Sequence, residues 1–410
     1  MLTLKLAARN LGRNLRRTVI TLAAITFGLM TIHFTITLQT GSYEEMIRQG
    51  VSTLAGHVVV QAPGYQEERD PDLLLSDADA VAETLSAEFP DAVIAPRILL
   101  GGLLTSPTNS VAAGLSGIEP GPEAAVQTLD DQIVEGEWLD DERGILIGIK
   151  MAESLGVTLG EKVVFMGQFG DSDDVQSRLF RVRGIFRTGA AEMDGFLSLV
   201  HFRAAQELLG DGDVAHQVTV HLADPRRSLE ATEQASLALS ARSLDVRSWK
   251  DALPEIYGLI QLDRQAGDVM LIILGLIVTM GVLNTVLMSA LERTREFGVM
   301  MALGLKPREL AWLILAEGFV LGVIGSILGL LAGLAVGYPL VTYGIDYSAM
   351  MGGEAIESAG IVLSTLLKGK FAFGRMAAYT VGAIALTTLA AAYPAVHVAR
   401  LEPVAAMRHV

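Results

Sequence analysis

The residues best suited to chemistry lie in a short charged stretch, ALERTREFGVMMALGLKPREL, which runs from Ala290 to Leu310. It holds three glutamates and four basic residues between two long apolar segments. Charges of both signs on a short helix can meet complementary charges on a partner, so the expected chemistry is binding. The turn at 304–307, Gly-Leu-Lys-Pro, ends this helix and lets the next one begin. A solvated turn between two helices is the alternative that these residues leave open.

Motifs for catalysis and metal binding are absent from the sequence. It contains no G-x-x-x-x-G-K-[ST] loop for nucleotide phosphates, no G-x-S-x-G elbow, no H-E-x-x-H and no cysteine. His201, His216 and His221 lie in one region, but their spacing fits no metal template, and we expect structural or surface roles for them. We therefore expect a chain that is not an enzyme by itself and that binds no cofactor or metal.

The charged stretch sits in a chain that is too apolar for an ordinary soluble protein. Of its 410 residues 51% are hydrophobic and 19% charged, with a mean hydropathy of +0.43. A membrane-spanning helix needs about 20 apolar residues. Four segments meet that length, and they predict four transmembrane helices, at 18–40, 269–291, 310–338 and 376–394.

Three polar residues interrupt the predicted spans, namely His33, Asn284 and Glu317. Polar residues inside a membrane are costly and are functional candidates for that reason. Hydrogen bonding between helices is the alternative for Asn284, and a position near the inner interface is the alternative for Glu317. Small residues four apart allow close helix packing. The third span carries such a series, and we assign its glycines, with Asn284, to helix packing: Gly318, Gly322, Gly325, Gly329, Gly333 and Gly337.

The distribution of charge orients the spans. Residues 1–17 hold five basic residues and no acid, and residues 292–309 hold four basic residues. By the positive-inside tendency both segments, and both termini, are cytoplasmic. Residues 41–268 then lie outside, with 38 acidic against 17 basic residues, a net charge of −21. This acidity disfavours nucleic acid as a partner.

Residues 1–17 are predicted to form a cytoplasmic amphipathic helix, because Leu4, Ala8, Leu11 and Leu15 recur at helical spacing. The apolar part that follows is longer than the about 7–15 residues of a signal peptide, and no A-x-A-like cleavage site follows it. A retained anchor is the preferred interpretation over a cleaved signal. Residues 395–410 form a cytoplasmic tail in this scheme.

The segment 41–268 is predicted to be an α+β domain. AGHVVVQAPG, FRVRGIF and HQVTVHLA have the composition or alternation of strands, whereas DADAVAETLSAEF has helical spacing after an Asp start. DPRR, at Asp224–Arg227, is a plausible joint between two subregions. A second extracytoplasmic connection is expected at 339–375, and the absence of cysteine excludes disulfides throughout.

The charged stretch resembles the cytoplasmic coupling segment of the FtsX-like and MacB-like permeases, which are subunits of ABC transporters. AARNLGRNLRRT and YPAVHVARLEPVAAMR resemble the family's first and last segments, so that the likeness covers essentially the whole chain. The coupling motif falls on Glu292, Arg293, Arg295, Glu296, Phe297, Gly298, Ala302, Leu303 and Gly304.

The resemblance implies a fold of four transmembrane helices with a large α+β, MacB-like periplasmic core domain inserted between helices 1 and 2. It implies a multi-pass protein of the bacterial inner membrane. The coupling helix would dock on a separate ATPase, present in two copies, which holds the ATP and magnesium. A second permease copy or a paralogue would complete the complex. Mechanotransmission would carry the motion outward along a long helix from about Asp251 through span two.

Within this family the ectodomain most resembles that of the lipoprotein-releasing LolC/LolE permeases, although ERTREFG would also suit MacB relatives. Three functions remain open. The complex releases lipoproteins from the inner membrane to a periplasmic carrier, expels peptides, antibiotics or toxins with an adaptor protein, or activates a cell-wall hydrolase. Neighbouring genes for a carrier or an adaptor would separate the first two. For lipoprotein release, apolar side chains beside spans one and two are candidate cargo contacts, namely Met30, Phe34, Leu276 and Met280.

Overall fold

A computed structural model describes residues 15–126, 129–169, 174–189, 191–210, 212–346, 356–358, 361–363 and 366–400. Most of the predicted amphipathic helix at 1–17 and the tail beyond residue 400 lie outside the described residues. The chain divides into two compact units. The helical unit comprises the described parts of Met1–Tyr43, Ile260–Asp346 and Leu366–Val410, and the sheet unit those of Glu44–Leu259 and Tyr347–Thr365.

The helices and strands are numbered in chain order. The helices are α1 (Leu15–Gly50), α2 (Tyr65–Glu68), α3 (Ala78–Glu88), α4 (Pro120–Val126), α5 (Ile149–Leu155), α6 (Ala191–Phe196), α7 (Phe202–Leu208), α8 (Ser228–Ala238), α9 (Trp249–Ala252), α10 (Pro254–Glu292), α11 (Thr294–Ala302), α12 (Pro307–Thr342), α13 (Phe373–Ala390) and α14 (Ala392–Ala399). The strands are β1 (Val58–Gln61), β2 (Leu75–Ser76), β3 (Val93–Thr105), β4 (Ser110–Ile118), β5 (Ile133–Gly136), β6 (Gly144–Gly148), β7 (Lys162–Gln168), β8 (Val175–Phe186), β9 (Leu197–His201), β10 (Val214–Ala215), β11 (Gln217–His221), β12 (Asp245–Ser248), β13 (Ile345–Asp346), β14 (Ile356–Ser358), β15 (Ile361–Leu363) and β16 (Leu366–Leu367).

Four helical stretches are long and apolar enough to cross a membrane. They are α1 with its π-helical continuation to Ala55, α10, α12, and α13 with α14. Helices α1 and α10 extend well past the predicted spans at 18–40 and 269–291. The extension of α1 follows from its sequence, because GSYEEMIRQ contains no proline and carries a Glu45–Arg48 ion pair at helical spacing.

The fourth apolar stretch is broken where the sequence analysis expected one helix at 376–394. Helix α13 ends at Ala390 and α14 begins at Ala392. Pro394 is the physical reason, because a proline has no N–H to bond the carbonyl four residues earlier and its ring crowds that carbonyl. The break lies next to the glycine face of α12, described below.

The glycines of α12 pack closely against neighbouring helices. A methyl group at Gly318 would overlap Ala391, and one at Gly322 would overlap Thr387. Farther along, the glycine face meets α1, because a methyl group at Gly325 would lie 2.8 Å from Ile25 Cγ2. In the same way, a methyl group at Gly329 would overlap Leu29 of α1, and one at Gly333 would overlap His33. Only glycine permits so close an approach of two helices at these positions.

The sheet unit is built on one ten-stranded sheet in the order β12-β1-β11-β3-β4-β9-β6-β8-β5, with β7 paired to β3 and β8. Most pairs are antiparallel, whereas β4 with β9 and β6 with β8 are parallel. Helices α3, α5, α7 and α8 contribute to one apolar core with these strands. The segments predicted as strands lie in β1, β8 and β11, and the mixture of strands and helices is the α+β architecture expected. The joint at Asp224–Arg227 forms a short 3₁₀ turn, and the division there into two subregions stays a prediction.

The start of α3 differs in detail from the sequence interpretation. Asp77 precedes the helix with a left-handed backbone (φ 55°), and its side chain makes no capping hydrogen bond. Instead, the Asp79 N–H donates to Asp213 Oδ1 at 3.0 Å. A residue distant in sequence therefore caps this helix, which spacing within the segment could not reveal.

Candidate functional site

The charged stretch forms α11, and Arg293 at its start is held by contacts within the chain. The Arg293 guanidinium donates to both carboxylate oxygens of Glu317, at 2.9 and 3.3 Å, and to Glu296 Oε2 at 3.2 Å. It also lies over the Phe297 ring, 5.2 Å from the ring centre. The pair Arg293–Glu317 is largely buried, with side chains 14% and 11% exposed. It therefore ties α11 to the third membrane-spanning helix.

Helix α11 turns one face inward and the other outward. Phe297, Gly298 and Met301 are buried, and Phe297 and Met301 belong to the helical unit's main core cluster. The outward face consists of Arg295, Val299, Ala302 and Leu303, which we call the coupling stripe. Val299 is 46% exposed and Leu303 is 82% exposed. The exposed surface of α11 is thus an apolar stripe with a basic residue at one end.

The predicted coupling residues consequently fall into two groups. Glu292, Arg295, Ala302 and Gly304 are exposed, whereas Arg293 and Glu296 are half-buried and Phe297 and Gly298 are buried. Glu292 accepts a hydrogen bond from Arg17 at 2.6 Å, an ion pair between the start of α1 and the end of α10. The sequence analysis predicted that this whole motif, which also includes the exposed Leu303, docks on a partner. Arg293, Phe297 and Gly298 turn toward the fold itself, and the docking of this segment on a partner stays a prediction.

The turn after α11 is built as the sequence predicts. Gly304 has φ 100°, a left-handed conformation that glycine adopts without strain, and its N–H donates to Met301 O. Pro307 occupies the first turn of α12, and Glu309 accepts from the Lys306 N–H at 3.0 Å. The coupling stripe therefore ends on a rigid corner between α11 and α12.

The three polar residues of the predicted spans have different surroundings. Glu317 accepts from Arg293, and the fully buried His33 has its Nε2 3.2 Å from Thr380 Oγ1. Asn284 is exposed on α10, and among the residues that the structure describes none hydrogen-bonds its side chain. Asn284 therefore has no hydrogen bond to another helix among the described residues, and its assignment to helix packing stays a prediction.

An apolar groove of about 330 Å³ lies between α1, α10 and α13. It borders the predicted cargo contacts without including them, because Met30 and Phe34 are half-buried elsewhere on α1, and Leu276 and Met280 are exposed on α10. Small residues on three helices leave the space open. The lining consists of Ile25, Gly28, Leu29, Ile32, Leu271, Ile272, Gly275, Val278, Thr279, Ala378, Tyr379, Gly382, Ala383, Leu386 and Thr387.

A polar cluster lies beside this groove. Arg375 donates to Asp268 Oδ1 at 2.5 Å, and the Tyr379 hydroxyl donates to the same oxygen at 3.0 Å. Tyr379 also lines the groove. The groove thus has an apolar wall and a hydrogen-bonded end, an arrangement that suits a chain-like apolar ligand with a polar head.

The three histidines that the sequence analysis grouped, His201, His216 and His221, have structural surroundings. His216 accepts from the Leu99 N–H through Nδ1 and lies 3.0 Å from Pro71 O, and burial lowers its pKa to about 4. His201 Nδ1 accepts from the Arg203 N–H at the start of α7. His221 lies 3.1 Å from Thr219 Oγ1, and burial, with the nearby Arg97 and His57, lowers its pKa to about 2. Buried His216 and His221 therefore stay neutral near pH 7.

Comparison with known proteins finds a family match for each of two regions of the chain. Residues 18–238 match the MacB-like periplasmic core domain, and residues 269–403 match the FtsX-like permease C-terminal region. The first match alone covers more than half of the 410 residues. The chain belongs to the family of FtsX-like permeases with a MacB-like core domain. It is an ABC transporter permease of the LolC, MacB and FtsX type, and the resemblance seen in the coupling motif is confirmed.

Relatives of this permease include two lipoprotein-releasing proteins. The lipoprotein-releasing system transmembrane protein LolC of Neisseria meningitidis is 24% identical, over 96% of this chain and 94% of its own length. LolE of Haemophilus influenzae is 22% identical, over 76% of each. The macrolide export ATP-binding/permease protein MacB of Wolinella succinogenes is 24% identical over 81% of this chain but only 52% of its own length. The permease thus matches LolC along nearly its whole length and MacB along about half.

Proposed function

We propose that this permease is the membrane subunit of a complex that releases lipid-anchored proteins from the bacterial inner membrane, driven by a separate ATPase. The observation that carries this proposal is the match to LolC along nearly the whole of both chains. The large domain at 41–268, inserted between the first two membrane helices, would work on the periplasmic side. A periplasmic carrier would receive the released protein.

The coupling stripe supplies the docking surface in this proposal. Its exposed Val299 and Leu303 offer apolar area, and Arg295 offers a charge for a complementary carboxylate on the ATPase. The internal pairs of Arg293 would pass the motion of the docked ATPase to α12. Two ATPase copies, each with its own ATP and magnesium, would act on a pair of permeases, the second being another copy or a paralogue.

The groove between α1, α10 and α13 supplies a site for an acyl chain. Its lining is almost entirely apolar, and Gly275 and Gly382 have open space where a side chain would stand. An acyl chain seated there would leave the protein part of the cargo to the ectodomain. The four cargo contacts predicted from the sequence lie outside the lining of this groove and stay predictions.

Photo-crosslinking from the groove tests the cargo. A photoreactive residue in place of Ile272, which lines the groove, is expected to label an acylated lipoprotein in membranes, and ATP should change the yield because cargo leaves the site during turnover. The matched control is Leu331 on α12, which is 57% exposed and lies outside the groove lining. Equal labelling of acylated and unacylated protein, or equal labelling from position 331, would contradict the proposal.

Export of a soluble compound is the second candidate, favoured by the similarity to MacB. It predicts a different result in the same experiment, because adducts would form with a drug or a soluble peptide and not with the lipid anchor. An adaptor protein in place of the carrier would then complete the complex. Activation of a cell-wall hydrolase predicts no cargo adduct from position 272.

The proposed orientation in the inner membrane is tested on the same cysteine-free chain. A cysteine at Ser110, which is exposed in the sheet unit, should react with a membrane-impermeant thiol reagent in spheroplasts. A cysteine at Lys306, exposed after α11, should react only after the membrane is dissolved, because the positive-inside tendency places it in the cytoplasm. Reaction at position 306 in sealed spheroplasts would contradict this topology, because it would place the turn after α11 outside the cytoplasm.

A further inference from the structure

A cavity of about 520 Å³ lies within the sheet unit, and we call it the sheet cavity. Its floor is the face of the sheet where β3, β4 and β9 run side by side, because Leu99, Ser116 and Leu199 are neighbours in register and all line it. Ile98 and Leu115 alternate with them, so they point to the opposite face and join the main apolar core. The sheet therefore covers one face with its core and leaves part of the other beside the cavity.

Three buried polar side chains of the lining keep hydrogen-bonding groups that the described part of the chain leaves unused. Tyr65, Ser116 and Gln217 are 4%, 7% and 5% exposed. The Gln217 amide nitrogen donates to Leu54 O at 3.4 Å, but none of the described residues hydrogen-bonds its carbonyl oxygen or the hydroxyls of the other two. A buried polar group without a partner destabilises a fold. Three such groups around one cavity indicate a ligand that completes their hydrogen bonds.

The charged residues of the lining leave the interior of the cavity without net charge. Arg69 and Glu255 are exposed, so they stand at the mouth, which opens between the end of α2 and the start of α10. Arg97 is buried and its charge is paired with that of Glu123. The rest of the lining is mostly leucine, with the half-buried Met193 among it. The ligand must therefore bury an uncharged part that is both apolar and able to form hydrogen bonds.

A peptide segment with an apolar side chain meets these requirements. Each peptide group carries one N–H donor and one C=O acceptor and no charge. The Gln217 oxygen can accept from a peptide N–H, and the hydroxyls of Tyr65 and Ser116 can donate to peptide carbonyls. The leucines can pack against the apolar side chain. A fatty acid fits less well, because its ionised carboxylate has no donor for Gln217 and the buried cation of the lining, Arg97, is already paired.

We propose that the sheet cavity binds a short uncharged stretch of polypeptide with one apolar side chain, held by Tyr65, Ser116 and Gln217. The lining includes Thr53–Ala55, soon after the chain enters the sheet unit, and Ala252–Ile256, shortly before it leaves. A bound peptide would therefore contact both ends of the inserted domain. The site is different from the groove proposed for an acyl chain, and it holds whether the cargo is a lipoprotein or a soluble compound.

Methyl NMR of the full chain in lipid nanodiscs tests the site. The methionine methyl groups carry ¹³C, and the signal of Met193 is assigned with Met193→Leu. The peptide acetyl-Gly-Leu-Gly-amide is expected to shift this signal saturably and to leave the signal of Met151, which is buried in the main core, unchanged. The control probes are acetyl-Gly-Ser-Gly-amide, which lacks the apolar side chain, and dodecanoate, which lacks peptide groups. No saturable shift, or equal shifts with either control probe, would overturn the proposal.

Three variants separate binding from a structural role. Tyr65→Phe and Ser116→Ala each remove only a hydroxyl that no described residue hydrogen-bonds, so the unfolding temperature should stay the same or rise. Each should raise the Kd of the leucine peptide by about 3- to 10-fold, as expected for one lost hydrogen bond. The matched control is Thr219→Val, which removes a buried hydroxyl that donates to Ala95 O at 2.9 Å. It should lower the unfolding temperature and leave the Kd unchanged.

An unchanged Kd in both Tyr65→Phe and Ser116→Ala would contradict the proposed hydrogen bonds. Neither the NMR measurement nor the variants need a lipoprotein, the ATPase or ATP. A failed search for lipoprotein adducts in the membrane groove therefore leaves the peptide site standing, and the reverse also holds.

Discussion

Replacing Arg293 by glutamate is expected to detach α11 from α12 and to abolish ATP-driven release. The substitution places a carboxylate beside Glu317 and Glu296, the two partners of the native guanidinium. Breaking a buried ion pair costs about 3–5 kcal/mol, and the new repulsion adds to that loss. The purified permease in lipid nanodiscs should therefore unfold at a lower temperature, and coupled release should fall more than about tenfold.

Two further variants separate this effect from a loss of docking. The swap Arg293→Glu with Glu317→Arg restores opposite charges and should recover part of the thermal stability and of the coupling. Arg295→Glu changes the neighbouring exposed charge and should weaken copurification of the ATPase while leaving the unfolding temperature unchanged. If Arg293→Glu unfolds at the same temperature as the parent protein, the Arg293–Glu317 ion pair does not hold α11 in place.

Replacing Arg97 by alanine is expected to destabilise the sheet unit strongly. Arg97 donates to both carboxylate oxygens of Glu123, at 2.5 and 2.9 Å, and the two side chains are 2% and 0% exposed. It also donates to the carbonyls of Ser52 and Thr53, so that it joins β3 to α4 and to the turn that ends α1. Its loss leaves Glu123 charged and buried without this partner, at a cost of about 3–5 kcal/mol.

The loss of stability is measured by heating the full chain and monitoring unfolding of the ectodomain through its resistance to protease. For a domain of this size the loss corresponds to a fall of roughly 6–20 °C. Arg183→Ala is the control, because its pair with Asp141 is 43% and 44% exposed, and solvent screens so exposed a pair that it should contribute little to stability. The double variant Arg97→Met with Glu123→Leu should recover much of the stability, since an apolar pair leaves no buried charge. Equal falls in unfolding temperature for Arg97→Ala and Arg183→Ala would show that the buried ion pair contributes no more stability than the exposed one.

Much of the helical unit was predictable because membrane helices are specified locally. Each span needs about 20 apolar residues whose polar backbone groups are satisfied within the segment, and four such segments are visible in the chain. The close packing of α12 followed from its glycine spacing alone. The break at Ala391 was also encoded locally, by Pro394, although the sequence analysis ran the span through to that proline.

The charged helix was predictable in place but not in detail, and its role in coupling stays a prediction. The motif located α11 and the turn at Gly304, yet the sequence could not say which charges face a partner and which face inward. Arg293 and Arg295 are two residues apart and of the same type, and helix geometry alone sends them to different sides. Only the position of α12 decides that Arg293 is the inward one, because its partner Glu317 is 24 residues away.

The sequence by itself determined the membrane-spanning segments, the acidic α+β ectodomain and the coupling motif, because length, period and charge act on neighbouring residues. The tertiary structure decided the contacts between distant residues. It paired Arg17 with Glu292 across 275 positions and Arg97 with Glu123 inside the sheet unit, opened the groove between three helices and left Asn284 facing outward. Such pairs depend on how helices and strands dock, and docking is set by the sum of many weak packing contacts that no local spacing records.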